Sequence, residues 1–109
     1  IREKGESSGN MRVRVENCRE VQKQRFANTS ITCNANMPNK MIGAYCELSD
    51  DDLHMLRRAM NELSLSARAY DRILKLSRTI ADLGDSKCIR KVHLLEAIQY
   101  RSMDRSVIL

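Results

Sequence analysis

Basic side chains near the start of one amphipathic helix are the residues best placed to do chemistry in this 109-residue chain. A helix is predicted from Ser66 to Gly84, because the Ser66 hydroxyl can cap its first turn and Gly84 suits the left-handed position that closes many helices. Arg68 lies in the first turn, beside the positive end of the helix dipole. Its guanidinium and the free backbone amides of that turn could hold an anion together.

The two faces of this helix divide sharply at 100° per residue. One face is mostly apolar and carries Tyr70, Ile73, Leu74, Ser77, Ile80 and Ala81. The opposite face carries Arg68, Arg72, Lys75 and Thr79, with Asp71 and Asp82 partly neutralising it. Anion binding by the basic residues and an ordinary solvated helix face are both compatible with this pattern, and the residues alone leave both open.

Other sites of chemistry are not indicated by the sequence. The chain contains no Walker-type phosphate loop, GxGxxG or HExxH motif, and no nucleophile–base spacing. Its four cysteines (Cys18, Cys33, Cys46 and Cys88) lack zinc-ligand spacing, so reduced thiols are expected. Three acids follow Ser49 and are better explained as helix capping than as a metal site, since neighbouring side chains on a helix diverge. We therefore expect no catalytic residue and no metal in this chain alone.

Composition is typical of a small globular domain, with 42% hydrophobic and 30% charged residues. The net charge of +5 permits contact with nucleic acid or phosphate without identifying either. No apolar run is long enough to span a bilayer, and we expect a cytoplasmic protein without a membrane partner. The chain starts without Met, so we also expect it to be a piece of something longer.

Hydrophobic periodicity predicts an all-α fold, a small bundle of four main helices. We expect a linker over residues 1–10, a helical domain over 11–104 and a tail over 105–109. The four helices are predicted over residues 11–27, after the Ser49 cap to Leu63, after the Ser66 cap to Gly84, and over 91–101, with 103–109 outside the last helix. Residues 28–48 predict a loop rich in Asn, with a short helical turn near 39–45.

A helix-turn-helix DNA-binding unit is an alternative interpretation of the two helices on either side of Ser64. The chain would then be a stand-alone DNA- or protein-binding module. Against this, the turn lacks the usual Gly, and the second helix offers Ala and Asp where base-reading Asn or Gln would be expected.

The most specific sequence block is Leu-Ser-Ala-Arg-Ala-Tyr-Asp-Arg-Ile-Leu at residues 65–74, followed by Arg-Thr-Ile-Ala-Asp-Leu at 78–83. Further blocks lie at residues 6–8, 11–15, 22–26 and 93–101. Taken in order, these blocks resemble magnesium-chelatase-like AAA+ ATPases, and more specifically the competence-protein ComM/YifB group. The resemblance covers residues 6–104.

This resemblance implies the C-terminal helical lid subdomain of an AAA+ ATPase, which folds over a nucleotide held by a preceding α/β core. The sensor-2 arginine of such lids, which contacts the γ-phosphate, falls on Arg68, and Arg72 is a weaker second candidate. ATP and Mg²⁺ are the implied cofactors of the full-length protein, with none expected on this piece. The implied partners are the upstream core, further copies in a hexameric ring, and DNA.

The resemblance leaves two functions open. The ComM-like group is associated with DNA branch migration during transformation, whereas related ATPases insert magnesium into porphyrin. The lid of a true magnesium chelatase ATPase subunit is therefore an alternative to DNA processing.

Overall fold

The fold is all-α, as predicted, and is built around one central helix. The structure is a computed structural model that describes residues 8–108, with side chains described for 9–101. Within that range the helices are α1 (Ser8–Arg25), α2 (Asn39–Tyr45), α3 (Asp50–Glu62), α4 (Ala67–Leu83) and α5 (Lys91–Ile108), with a 3-10 turn at Asn34–Asn36. The short helix α2 accompanies the four main helices, at the residues where a helical turn was predicted.

The bounds of α1 and α5 differ from the sequence prediction. α1 begins at Ser8 rather than at Met11, and residues 1–7 of the predicted linker lie outside the described residues. α5 continues past Arg101 to Ile108, so the predicted end of the last helix near Arg101 is wrong. No Gly or Pro follows Lys91, and the backbone therefore has no local reason to leave the helix. The predicted domain boundaries stay predictions.

α4 forms the centre of the fold, because it packs against α1, the 3-10 turn, α2 and α5, while α3 packs against α5. Its inner residues Ile73, Leu74 and Ala81 are buried against apolar side chains from the other elements. Those partners are Phe26, Met37, Ile42, Leu56, Ile89, Leu94, Ala97 and Ile98. Burial of this surface is what stabilises the domain, and it fixes the orientation of α4 relative to the other helices.

α3 and α4 both begin at a serine cap, as predicted. The Ser49 hydroxyl accepts a hydrogen bond from the Asp52 amide at 3.2 Å, and the Ser66 hydroxyl accepts one from the Ala69 amide at 3.2 Å. Between them, Ser64 adopts a left-handed conformation with φ 53°, and the Leu65 amide donates to the Met60 carbonyl at 3.0 Å. This Schellman closure lets α4 start directly after α3.

The end of α4 differs from the sequence prediction. Gly84 has φ −88°, so it does not occupy the left-handed position. Asp85 does, with φ 57°, and its amide donates to the Asp82 carbonyl at 3.0 Å, while the Ser86 amide donates to the Ala81 carbonyl at 2.8 Å. The left-handed residue of this Schellman closure is therefore Asp85, one residue after the Gly84 that the sequence suggested.

None of the helices within residues 8–108 is both long and apolar enough to cross a membrane.

Candidate functional site

The first turn of α4 presents Arg68 to solvent. Ser66 is extended (φ −82°, ψ 169°), and its hydroxyl occupies the Ala69 amide. The amides of Ala67 and Arg68 precede the first intrahelical hydrogen bond and are free for an external acceptor. Arg68 and Arg72 are both exposed, and neither forms an ion pair within the described part of the chain. Two guanidiniums and two backbone amides therefore face outward from one helix start.

The opposite side of α4 holds this start in place. Ala69 and Ile73 are buried, and Tyr70 is half-buried against the core. The inward face predicted from periodicity is confirmed: Ile73, Leu74, Ser77 and Ala81 are buried, and Tyr70 and Ile80 pack against the core cluster. Because the other face of this helix is fixed in the core, the backbone position of Arg68 is fixed as well.

The exposed basic face is shorter than predicted. Thr79 is half-buried and its hydroxyl accepts a hydrogen bond from Asn34 Nδ2 at 3.0 Å. Lys75 is also half-buried, and its Nζ reaches the Ala35 carbonyl at 3.5 Å. The 3-10 turn covers this part of the helix, so only the first two turns of α4 offer unpaired cations.

Asp82 has a different role from the one predicted. It was expected to neutralise the solvated basic face of α4, yet it is buried and paired. Arg25 donates to both Asp82 oxygens, from Nη1 at 2.7 Å and Nη2 at 2.8 Å, and Arg78 Nη2 lies 3.2 Å from Oδ1. Bidentate pairing of this kind is charge-assisted and strongly oriented. The prediction is therefore wrong, because the C-terminal half of α4 turns its acid toward α1.

Asn34 completes this buried polar network and was missed by sequence reasoning. It is fully buried, its amide nitrogen donates to Asp82 Oδ2 at 2.9 Å, and its backbone N–H donates to Gln22 Oε1 at 2.8 Å. The density of Asn in residues 28–39 predicts only a loop, and nothing local distinguishes Asn34 from its neighbours. One sequence signal was available for part of this network. Arg78 and Asp82 lie one helical turn apart, beside the apolar stripe, which is the spacing of an ion pair within a helix.

The helix-turn-helix interpretation does not fit this arrangement. The recognition helix of such a unit must lie in the major groove with one side open along its length. α4 is covered by α1, the 3-10 turn, α2 and α5. Only its start is accessible, which suits contact with a single group rather than with a run of bases.

Thiols and acids do not assemble into a metal site in the part of the chain that the structure describes. No three His, Cys, Asp or Glu side chains converge there. All four cysteines are free thiols, and burial raises the pKa of Cys46 to about 11. Cys46 is therefore a protonated core residue at neutral pH and not a nucleophile.

Comparison with known proteins decides which family this helical fold represents. A sequence profile described as "Magnesium chelatase, subunit ChlI C-terminal" matches residues 5–101. The chain belongs to this family. The matched region includes the capped start of α4, the Arg25–Asp82 pair and most of α5. The resemblance found in residues 65–74 and 78–83 is thereby confirmed.

Curated relatives within this group are much longer than the chain. It is 45% identical over 103 residues to the competence protein ComM of Haemophilus influenzae, covering 94% of this chain and 19% of that protein. It is 39% identical over 104 residues to the uncharacterized protein YifB of Escherichia coli, covering 95% of this chain and 20% of YifB. A YifB of Salmonella typhimurium is 40% identical over 105 residues, again covering 20% of that protein. The chain thus spans about a fifth of the length of each of these relatives.

Proposed function

We propose that this magnesium chelatase C-terminal family domain is the lid of an AAA+ ATPase, and that Arg68 contacts the terminal phosphate of ATP held by the rest of that protein. The observation that carries the proposal is the setting of Arg68: exposed, without an ion-pair partner among the described residues, and on the first turn of a rigid capped helix. A fixed cation beside free backbone amides suits the charge that develops during phosphoryl transfer.

Arg68 is favoured over Arg72 by its position along the helix. Both side chains are exposed, but only Arg68 lies in the first turn, where backbone amides have no intrahelical acceptor and the dipole is positive. Arg72 lies one turn further on, beyond those amides. We therefore assign the phosphate contact to Arg68 and a weaker, electrostatic contribution to Arg72.

In this proposal, Arg68 contacts only the terminal phosphate of ATP, and the ATPase core binds the rest of the nucleotide. ATP supplies the phosphoryl group, and Arg68 would orient it and offset its charge. We assign no residue of this chain to Mg²⁺, because the acids of the first turn of α3 cap that helix, and Asp52 is buried there. Binding of ATP and Mg²⁺ is therefore expected only when the upstream core is present.

Exposed apolar side chains support the upstream core as the partner. Met11, Val13 and Val15 lie exposed on α1, and Val92 and Leu95 lie exposed on α5. Met11 and Val15 lie one turn apart on α1, and Val92 and Leu95 lie together on α5, so each pair forms a small exposed apolar patch of the kind found at interaction sites. Since relatives of this family carry about four-fifths of their length outside the matched region, we propose that the core, in the same or a neighbouring subunit of a hexameric ring, covers part of this surface.

DNA processing in the cytoplasm is the proposed setting, and it is supported by the name of the Haemophilus relative, a competence protein. ATP hydrolysis by the full-length protein, with and without Arg68, tests the lid assignment. Stimulation of that hydrolysis by DNA tests the substrate. If instead the isolated chain binds DNA with a steep salt dependence, the stand-alone DNA-binding alternative is favoured.

A further inference from the structure

A second cationic site is formed by residues other than those at the start of α4. A cavity of about 520 Å³ opens between the end of α1, the loop after α2 and the turn that joins α4 to α5. Arg25, Arg78 and Lys87 line it, together with Tyr45 and Glu47. Arg68 and Arg72 are not among its lining residues, so this site is independent of the proposed ATP contact.

The buried charges beside this cavity do not balance. The side chains of Arg25 and Arg78 are only 13% and 6% exposed, and both pair with the same carboxylate, Asp82, which is 1% exposed. Asp82 accepts two short hydrogen bonds from Arg25, whereas its Oδ1 lies 3.2 Å from Arg78 Nη2. Two buried guanidiniums therefore share one carboxylate. The second positive charge has no counter-ion of its own, and a buried charge without a counter-ion destabilises the folded state.

Backbone carbonyls orient Arg78 without neutralising it. Its Nη1 donates to the Lys87 carbonyl at 3.0 Å and its Nη2 donates to the Ser86 carbonyl at 2.8 Å. Its Nε is buried and has no hydrogen-bond partner. A buried donor without an acceptor is rare in native proteins, and here it leaves the Arg78 charge incompletely solvated.

The rim of the cavity adds to the positive potential. Lys87 is exposed at the mouth, and the exposed Glu47 is the one acid among the lining residues described, without an ion pair to any of the three cations. Asp82 lies behind the guanidiniums and does not line the cavity. An oxyanion that enters the cavity from solvent would therefore find Arg25, Arg78 and Lys87 in its lining, whereas the paired carboxylate of Asp82 does not line the cavity.

We propose that this cavity binds a phosphate dianion, either free phosphate or the phosphate group of a small phosphomonoester, with Arg78 and Lys87 as its principal contacts. Arginine matches phosphate geometry and is already held in place here, so little side-chain entropy is lost on binding. Phosphate would supply the negative charge that Asp82 alone does not provide to the two buried guanidiniums. The proposal does not rest on the ATP contact of Arg68.

NMR titration of the ¹⁵N-labelled chain with inorganic phosphate at constant ionic strength tests this site. The Arg78 Nε–Hε resonance and the amides of Cys88 and Ile89 should shift saturably. Arg78→Ala would remove a structural contact of the fold, so the test uses the rim variant Lys87→Gln, which should weaken the affinity about threefold to tenfold. Lys40→Gln, at an exposed position that does not line the cavity, and Arg68→Ala should leave it unchanged.

A parallel titration with glycerol phosphate distinguishes the two sources of phosphate. Tighter binding of the ester supports a phosphomonoester ligand, and equal binding supports free phosphate. The proposal is overturned if the Arg78 resonance shows no saturable change at millimolar phosphate, or if Lys40→Gln weakens the affinity as much as Lys87→Gln.

Discussion

Asp82 on α4 and Arg25 at the end of α1 form a bidentate buried ion pair, although they are 57 residues apart in the chain. The two N–O distances are 2.7 and 2.8 Å. The hydrogen bond to Asp82 raises the pKa of Arg25 above its ordinary value, so Arg25 keeps its charge at neutral pH and well above it. It fixes α1 against α4 and thereby holds the helix that carries Arg68.

Asp82→Asn should lower the free energy of unfolding by about 3–5 kcal/mol, because it leaves two buried guanidiniums without a carboxylate. Urea unfolding followed by helical circular dichroism measures this loss. Asp85→Asn is the matched control: Asp85 is exposed, Asn tolerates its left-handed conformation, and the change should stay within about 0.5 kcal/mol. A loss below about 1 kcal/mol in Asp82→Asn would show that the pair does not hold the helices together.

Asp85→Gly should stabilise the domain by about 0.5–1 kcal/mol, since Gly adopts φ 57° without the steric cost that Asp incurs. Gly84→Ala should be tolerated, because φ at Gly84 is −88° and an added Cβ would meet its nearest atoms at 3.7 Å or more. Thermal unfolding of both variants checks the closure of α4. If Gly84→Ala is strongly destabilising and Asp85→Gly is not stabilising, the left-handed residue is Gly84, as the sequence alone suggested.

Stability should fall as the pH drops below the ordinary His pKa of about 6.5. Burial, together with the nearby charges of Arg78 and Arg90, lowers the pKa of His93. The unfolded chain therefore binds a proton at a pH where the folded chain does not, and the folded state loses stability from about pH 6.5 down to the lowered folded pKa. Protonation also removes the Nδ1 lone pair, which accepts from the Arg90 amide at 2.9 Å.

Urea unfolding between about pH 7.5 and pH 5.5 measures this dependence. His93→Asn keeps an acceptor for the Arg90 amide and cannot titrate, so its stability should vary less over this range. His54→Asn, at an exposed position on α3, should retain the dependence of the native chain. An unchanged pH dependence in His93→Asn would contradict the assignment.

Local signals predicted most of the fold. Ser49 and Ser66 cap their helices because the capping preference needs only the adjacent turn, and the apolar face of α4 follows from helical periodicity. Helix α2 was found because a structureless loop of that length is unusual in a small domain. The extent of α5 was missed: the helix was predicted to end near Arg101, whereas no Gly or Pro follows Lys91 and the helix continues to Ile108.

The buried polar network could not be predicted from the sequence, since its members depend on tertiary contacts. Asn34, Arg25 and Asp82 come from three separate elements, and each is of a residue type that is usually exposed. Arg68, by contrast, lies exposed at the helix start as predicted, because its position depends on local capping, while its contact with ATP stays a prediction. Neither the buried network nor the cavity lined by Arg78 and Lys87 was predicted.

ATP hydrolysis by the full-length protein carrying Arg68→Ala is the most direct test of the central proposal. We predict a fall in kcat of about 100-fold or more, with unfolding of the isolated domain changed by less than about 0.5 kcal/mol, because Arg68 is exposed and touches none of the core. Arg19→Ala, at an exposed position on α1, should hydrolyse ATP at the native rate. Equal rates for Arg68→Ala and the native protein would contradict the assignment of Arg68 to the phosphate of ATP.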